Sequence, residues 1–157
     1  MGIDQDIHQA KFRNEHQKAM INLLYTYGWV TERSKEFFAQ EDITPQQFNI
    51  LRILRGSHPQ PLSTLQIRER MLDKMSDTSR IVDRLVAKGF VKKGTCKSDR
   101  RLVDVIITDK GRKLLERIDE REEEMDRITG NLTLKEASTL SDLLDKIREP
   151  LVDEPAI

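Results

Sequence analysis

Residues 76–111 read SDTSRIVDRLVAKGFVKKGTCKSDRRLVDVIITDKG, and the order of features in this stretch decides the fold. Thr78, Ile81, Val82 and Leu85 recur at helical spacing as far as Lys88, where Gly89 supplies a stop. Phe90–Thr95 and Leu102–Thr108 are short β-prone runs around the turn CKSDRR, a hairpin pattern. In the second run Val103, Val105 and Ile107 point one way and Leu102, Asp104, Ile106 and Thr108 the other. The first set is the expected core face. Thr108-Asp109 then opens a further helix.

Working upstream, TPQQFNILRILRGS at 44–57 has Thr44 as an N-cap, Pro45 at the first helical position and Gln47 completing a capping box. Phe48, Leu51 and Leu54 share one face, and Gly56 is the expected end. HPQPL is a connector whose two prolines exclude helix. Ser63 opens a second capping box (STLQ) and a helix through Leu65 to Met71 or Leu72. The next helix is expected to begin at Asp73 or Lys74. Before all of these, residues 5–40 read as one long amphipathic helix with a stripe of Phe12, Ala19, Leu23, Tyr27 and Val30, and with Gly28 as its weak point. Such a stripe cannot be buried by the helix itself and calls for another helix or another subunit.

Downstream, Leu114, Leu115 and Ile118 belong to a helix that turns acidic through EREEEMD and breaks at Gly130-Asn131. Thr133 and Glu136 form a third capping box, opening a last helix that runs to Pro150. The expected fold is mainly α with a small β-hairpin wing: a winged helix-turn-helix over 44–110, flanked by long helices in 1–43 and 111–157.

Composition narrows the function. The 157 residues are 34% charged and 5% aromatic with zero net charge, and no apolar stretch is long enough to span a bilayer. The first residues, MGIDQDIHQAKF, lack the apolar core of a secretory signal. A single cysteine, Cys96, makes a reducing cytoplasm the default compartment. Charge is unevenly placed: residues 60–113 hold fourteen basic and seven acidic side chains, whereas 114–157 hold six and thirteen. A footprint for phosphate has to be local, so the basic middle matters more than the total.

In a helix-turn-helix the second helix is the reader. Its outer face here carries Ser76, Ser79, Arg80, Asp83, Arg84 and Ala87, with Asp77 at the margin. Small hydroxyl residues allow close approach to a major groove, Arg80 can fork onto a guanine edge, and Arg84 with Lys74 can hold phosphates. Taken alone, the same residues describe any solvated helix face, and paired arginines at a turn can merely solubilise it. Context on both sides favours the first reading.

SDTSRIVDRLVAKGFVKK followed by KSDRRLVDVIITDKGRKLL resembles the MarR family of bacterial winged-helix regulators. Three parts match its pattern: Val82-Asp83-Arg84-Leu85 with Gly89, Asp99-Arg100-Arg101 in the wing, and Thr108 with Gly111 at the start of the following helix. The long first helix and the last two resemble the family's dimerisation arms, so the likeness covers nearly the whole chain. The family's turn often carries glycine where this sequence has Leu72. The resemblance implies a homodimer on a pseudo-palindromic operator in double-stranded DNA, one recognition helix per half-site, acting as a repressor released by a small-molecule effector. It also implies that Arg101 enters the minor groove with Asp99 bracing it, while Lys97 and Arg100 contact the backbone. A narrow minor groove concentrates negative potential and attracts arginine.

Other chemistry is weakly represented. Tyr25, Tyr27, Trp29, Phe37 and Phe38 crowd one region, and the resemblance implies an effector pocket there, for which Tyr25, Trp29, Phe48 and Leu51 are the candidates; plain core or subunit interface is the competing reading. His8, His16 and His58 have no partners at metal-ligand spacing, and no metal or cofactor is expected. Cys96, beside Lys97, reads as an incidental thiol, since oxidant-sensing members of the resembled family use cysteines near the start of the chain. No phosphate-binding loop, zinc-protease motif or nucleophile elbow occurs, so an enzyme is not expected. A protein-interaction module with a basic face and a nonspecific architectural DNA binder are the alternatives.

Overall fold

The structure is a computed structural model and describes residues 2–95, 97–101 and 103–151. Cys96, and with it the reading of its thiol, lies outside the described residues, as does Leu102. The chain divides after Arg121 into two compact units. The first contains α1 (Ile3–Asp6), α2 (Glu15–Ala39), α3 (Pro45–Ser57), β1 (Leu62–Ser63), α4 (Thr64–Arg70), α5 (Thr78–Ala87), β2 (Val91–Thr95), β3 (Val103–Ile107) and α6 (Asp109–Asp119). The second contains α7 (Glu122–Asp126), a 3-10 turn at Arg127–Thr129 and α8 (Leu134–Ile147).

Three helices start where their capping boxes predict. Thr44, Ser63 and Thr133 each accept from the backbone N–H three residues on, and Gln47, Gln66 and Glu136 reach back to the cap residue's own N–H. The three strands form one antiparallel sheet in the order β1-β3-β2, with Val105 opposite both Leu62 and Lys93. Ile50, Leu51 and Leu54 of α3, Ile67 of α4, Val82 and Leu85 of α5, Val105 of β3, and Leu114 and Leu115 of α6 are buried almost completely. This is one core closed by α3, with α4, α5, α6 and the sheet around it. Val105 and Ile107 are buried in it, as the alternation in the second strand run predicts, and Val103 is half-buried. Arg55 of α3 forks onto Asp119 of α6, at 2.6 and 3.2 Å.

Several expectations need correction. The long helix begins at Glu15, not near residue 5, because the Asn14 side chain accepts from Gln17 N–H at 2.9 Å and caps it there. Phe12 therefore lies outside the helix, and residues 3–6 form their own single turn. Gly28 does not interrupt α2; one interior glycine costs only about 1 kcal/mol relative to alanine, too little to break a helix of this length. Gly56 lies inside α3, which closes at His58. β1 was not foreseen: a two-residue strand has no periodicity and exists only through its pairing with β3. α5 starts at Thr78 rather than at Asp73 or Lys74, and the helix opened by Thr108 ends at Asp119 rather than running to Gly130.

Candidate nucleic-acid interface

The turn between α4 and α5 is set from beneath. Met71 is buried, and the next residue, Leu72, sends its N–H to Asn49 Oδ1 of α3 at 2.8 Å. Asn49 is itself buried, and its Nδ2 has no hydrogen-bond partner among the described residues. Asp73 Oδ1 accepts from Met75 N–H at 3.0 Å, spending that carboxylate on the turn. Asp77 then accepts from Arg80 N–H at 3.1 Å and is the N-cap of α5. Lys74 and Ser76 consequently sit in the turn before the helix, with Lys74 Nζ bonded to the Glu69 carbonyl.

Thr78, Val82 and Leu85 face the core, leaving Ser79, Arg80, Asp83, Arg84 and Ala87 exposed. The division matches the helical wheel. Asp77 also lies 3.7 Å from Arg80 Nε, so Arg80 is aimed from the first turn of α5. A groove of about 410 Å³ runs between α4 and the start of α5, and brings Ser76, Asp77 and Ser79 together with Thr64, Leu65 and Arg68. The three α4 residues escaped the sequence reading. Leu65 passes for a core position by its apolar character, and Arg68 was one cation among fourteen in the basic segment.

On the wing, Arg101 makes three bonds to Asp99. Its N–H reaches Oδ1 at 3.0 Å, Nε reaches Oδ1 at 3.1 Å and an Nη reaches Oδ2 at 3.1 Å. The side-chain fork, and then the backbone N–H, hold the Asp99 carboxyl below its ordinary value, because hydrogen bonds to the charged form favour it. The Arg101 side chain is 89% exposed, so the carboxylate orients the guanidinium without covering it. Lys97 and Arg100 are exposed beside it. An ion pair that no short-range pattern announces joins Lys93 of β2 to Asp83 of α5, tying the wing to the helix.

The base of the wing is close-packed. Thr108 Oγ1 donates to the Gly89 carbonyl at 2.7 Å and accepts from Gly111 N–H at 3.2 Å. A Cβ on Gly111 would lie 2.4 Å from the Phe90 carbonyl oxygen, so glycine is needed there for approach. Gly89, with φ of 78°, is needed for its left-handed backbone.

The four pocket candidates are dispersed in character. Leu51 is fully buried, whereas Tyr25 and Trp29 are substantially exposed on α2. Phe48 stacks on Phe38 with centroids 4.4 Å apart, and the Arg33 guanidinium lies 3.5 Å over the Trp29 ring. Among the described residues no cluster of His, Cys, Asp and Glu suited to a metal ion occurs, and no helix is long and apolar enough to cross a membrane.

A model of the MarR family matches residues 43–103, which spans α3 through the wing tip. The multiple antibiotic resistance protein MarR of Salmonella typhimurium is 30% identical over 108 residues, covering 68% of this chain and 74% of that protein. The chain belongs to the MarR family. The transcriptional regulator PecS of Dickeya dadantii is 29% identical over 152 residues, 91% of this chain and 92% of its own length. The MarR transcription factor of Planctomyces limnophilus, whose crystal structure is known, is 34% identical with a TM-score of 0.66, over 86% of this chain and 98% of that one. The same fold recurs in an E. coli MarR variant complexed with operator DNA, at 24% identity and a TM-score of 0.77, covering 89% of this chain and all of that one.

This is a MarR-family transcriptional regulator with a DNA-binding fold. Each MarR motif now has a physical cause. The aspartate and second arginine of the wing are a fork, the threonine and glycine after it are a cap and a point of backbone contact, and the VDRL segment presents Asp83 to the wing and Arg84 to solvent.

Proposed function

We propose that the chain is a cytoplasmic, homodimeric repressor that binds a pseudo-palindromic operator and is released by a small-molecule effector. One observation carries the reading. Arg80 and Arg84 on α5 and Arg101 on the wing are exposed cations on two elements joined by the Asp83–Lys93 pair. Two tethered cationic elements suit a major groove and the minor groove beside it. Ser79 and Arg80 approach base edges; Lys74, Ser76, Arg84, Lys97 and Arg100 contact the backbone; Arg101 enters the minor groove, braced by Asp99. Asp77 holds the first turn of α5 and orients Arg80.

Residues 1–43 and 111–157 supply the dimer arms. Met20, Leu23, Leu24 and Tyr27 leave an apolar stripe on α2 exposed, and Leu140, Leu143 and Ile147 do the same on α8. Two recognition helices must be spaced to match two half-sites, and an effector acts by preferring another spacing. Tyr25, Trp29, Phe48 and Leu51 remain the proposed effector contacts, and because Leu51 is fully buried an effector reaching it must displace the side chains that cover it. A relative of the same fold, BpsR of Bordetella bronchiseptica, is regulated in its DNA binding by 6-hydroxynicotinic acid.

Selection of bound duplexes from a random pool tests the proposal. Enrichment of a two-fold symmetric site, bound in a salt-dependent way by a dimer, is expected. Binding that survives scrambling of the site would leave an architectural binder instead, and failure to enrich any sequence would remove the DNA-binding reading.

A further inference from the structure

The turn leading into α5 carries an apolar side chain that none of the described residues covers. Met75 is 93% exposed, and its neighbours locate it. Lys74 lines one groove and Ser76 another, while Leu65 and Arg68 line both. Met75 therefore lies in sequence between lining residues of two depressions that share Leu65, which is 49% exposed. Its backbone is ordered by the Asp73 carboxylate on one side and by the Asp77 cap on the other.

A lone apolar side chain on a surface is ordinary. Here Leu65 lines both grooves and Met75 adjoins them in sequence; the grooves carry Arg68 and Lys74 beside Glu69 and Asp77, and Ser79 is exposed at the start of α5, the Ser76 hydroxyl being buried. A polyanion with isolated apolar points fits that combination. In the major groove of DNA the apolar point on a base edge is the thymine C5-methyl group. We propose that Met75 and Leu65 contact thymine methyl groups, reading positions that the polar face of α5 does not. The unbranched thioether of Met75 suits such a contact, because it can follow the methyl from an exposed position. This inference rests on the DNA-binding reading above.

The experiment replaces each thymine of the selected operator, one position at a time, by uracil, which removes the methyl and keeps the pairing. Replacement in one half-site is expected to lower affinity about fourfold, and replacement in both half-sites about sixteenfold. In Met75→Gln or Leu65→Gln the sensitive position should lose its sensitivity, so that thymine and uracil operators bind alike. Both side chains are substantially exposed, and circular dichroism verifies that the variants fold. The proposal is overturned if no thymine position is methyl-sensitive, or if the sensitivity persists undiminished in both variants. An enriched operator bound without methyl sensitivity removes this inference alone. A pool in which nothing enriches removes the DNA-binding reading and this inference with it.

Discussion

The two ends of α2 have the same kind of apolar periodicity and opposite fates. Near its C-terminus Phe37 and Phe38 are buried, with Phe38 stacked on Phe48 of α3. About three to five turns earlier Met20, Leu23, Leu24 and Tyr27 lie open. Periodicity states which residues share a face; it does not state what covers that face. A covered stripe stabilises the chain's own fold, whereas an open one contributes nothing to it and is the surface on which the proposed self-association is tested.

The largest effect that tests this contrast comes from the covered side. Leu51→Ala in the core should lower unfolding free energy by about 2–5 kcal/mol, read from the urea midpoint. Leu24→Glu on the open side should leave the circular dichroism spectrum unchanged but weaken self-association by about 2 kcal/mol or more, read by sedimentation. Equal loss of secondary structure in both variants would erase the distinction. Gly111→Ala comes next, at about 1–3 kcal/mol, because its methyl meets the Phe90 carbonyl, which belongs to the backbone. Thermal unfolding measures it.

Arg101→Ala should be smaller in stability and visible in binding. Operator affinity should fall, and the slope of log K against log salt should decrease by about one. An unchanged slope would remove Arg101 from the interface. The smallest effect is the titration of Asp99. Its carboxyl is held low by the Arg101 fork, so the fork is complete at neutral pH, and its contribution disappears only as pH falls through that lowered value. Carboxyl carbon shifts should give a midpoint below that of an ordinary aspartate, and Arg101→Ala should raise it.

Legibility followed the range of the interactions. The capping boxes at Thr44, Ser63 and Thr133 are three-residue events, and all three were readable. So was the sorting of α5 into Val82 and Leu85 inside and Arg80 and Arg84 outside, which needs only the helical period. The Asn14–Gln17 cap was equally local, but Phe12 mimicked a continuation of the stripe. The start of α5 was different. Asp73 and Asp77 are both competent caps, and the choice between them rests on the burial of Met71 and on Asn49, more than twenty residues away. β1 and the Asp83–Lys93 pair likewise depend on which strands and helices meet. For the interface, the wing fork was implied by the resemblance to the MarR pattern, and its bonds join residues only two apart. The α4 wall of the groove was not, since Leu65 and Arg68 acquire their place only when α5 is laid beside them.

The bond from Leu72 N–H to Asn49 also explains why this turn can dispense with glycine. Positive φ among the described non-glycine residues occurs at His8 and Asp42, so the backbone at 72 asks for no special residue. Its side chain is 81% exposed, and what the fold uses at that position is the amide hydrogen. Nineteen amino acids supply one. Position 72 is therefore open to sequence drift, or to a spectroscopic label placed beside the recognition helix. Proline is the replacement it should refuse, since the Asn49 carboxamide, already short of a partner at Nδ2, would then be buried with none at either end.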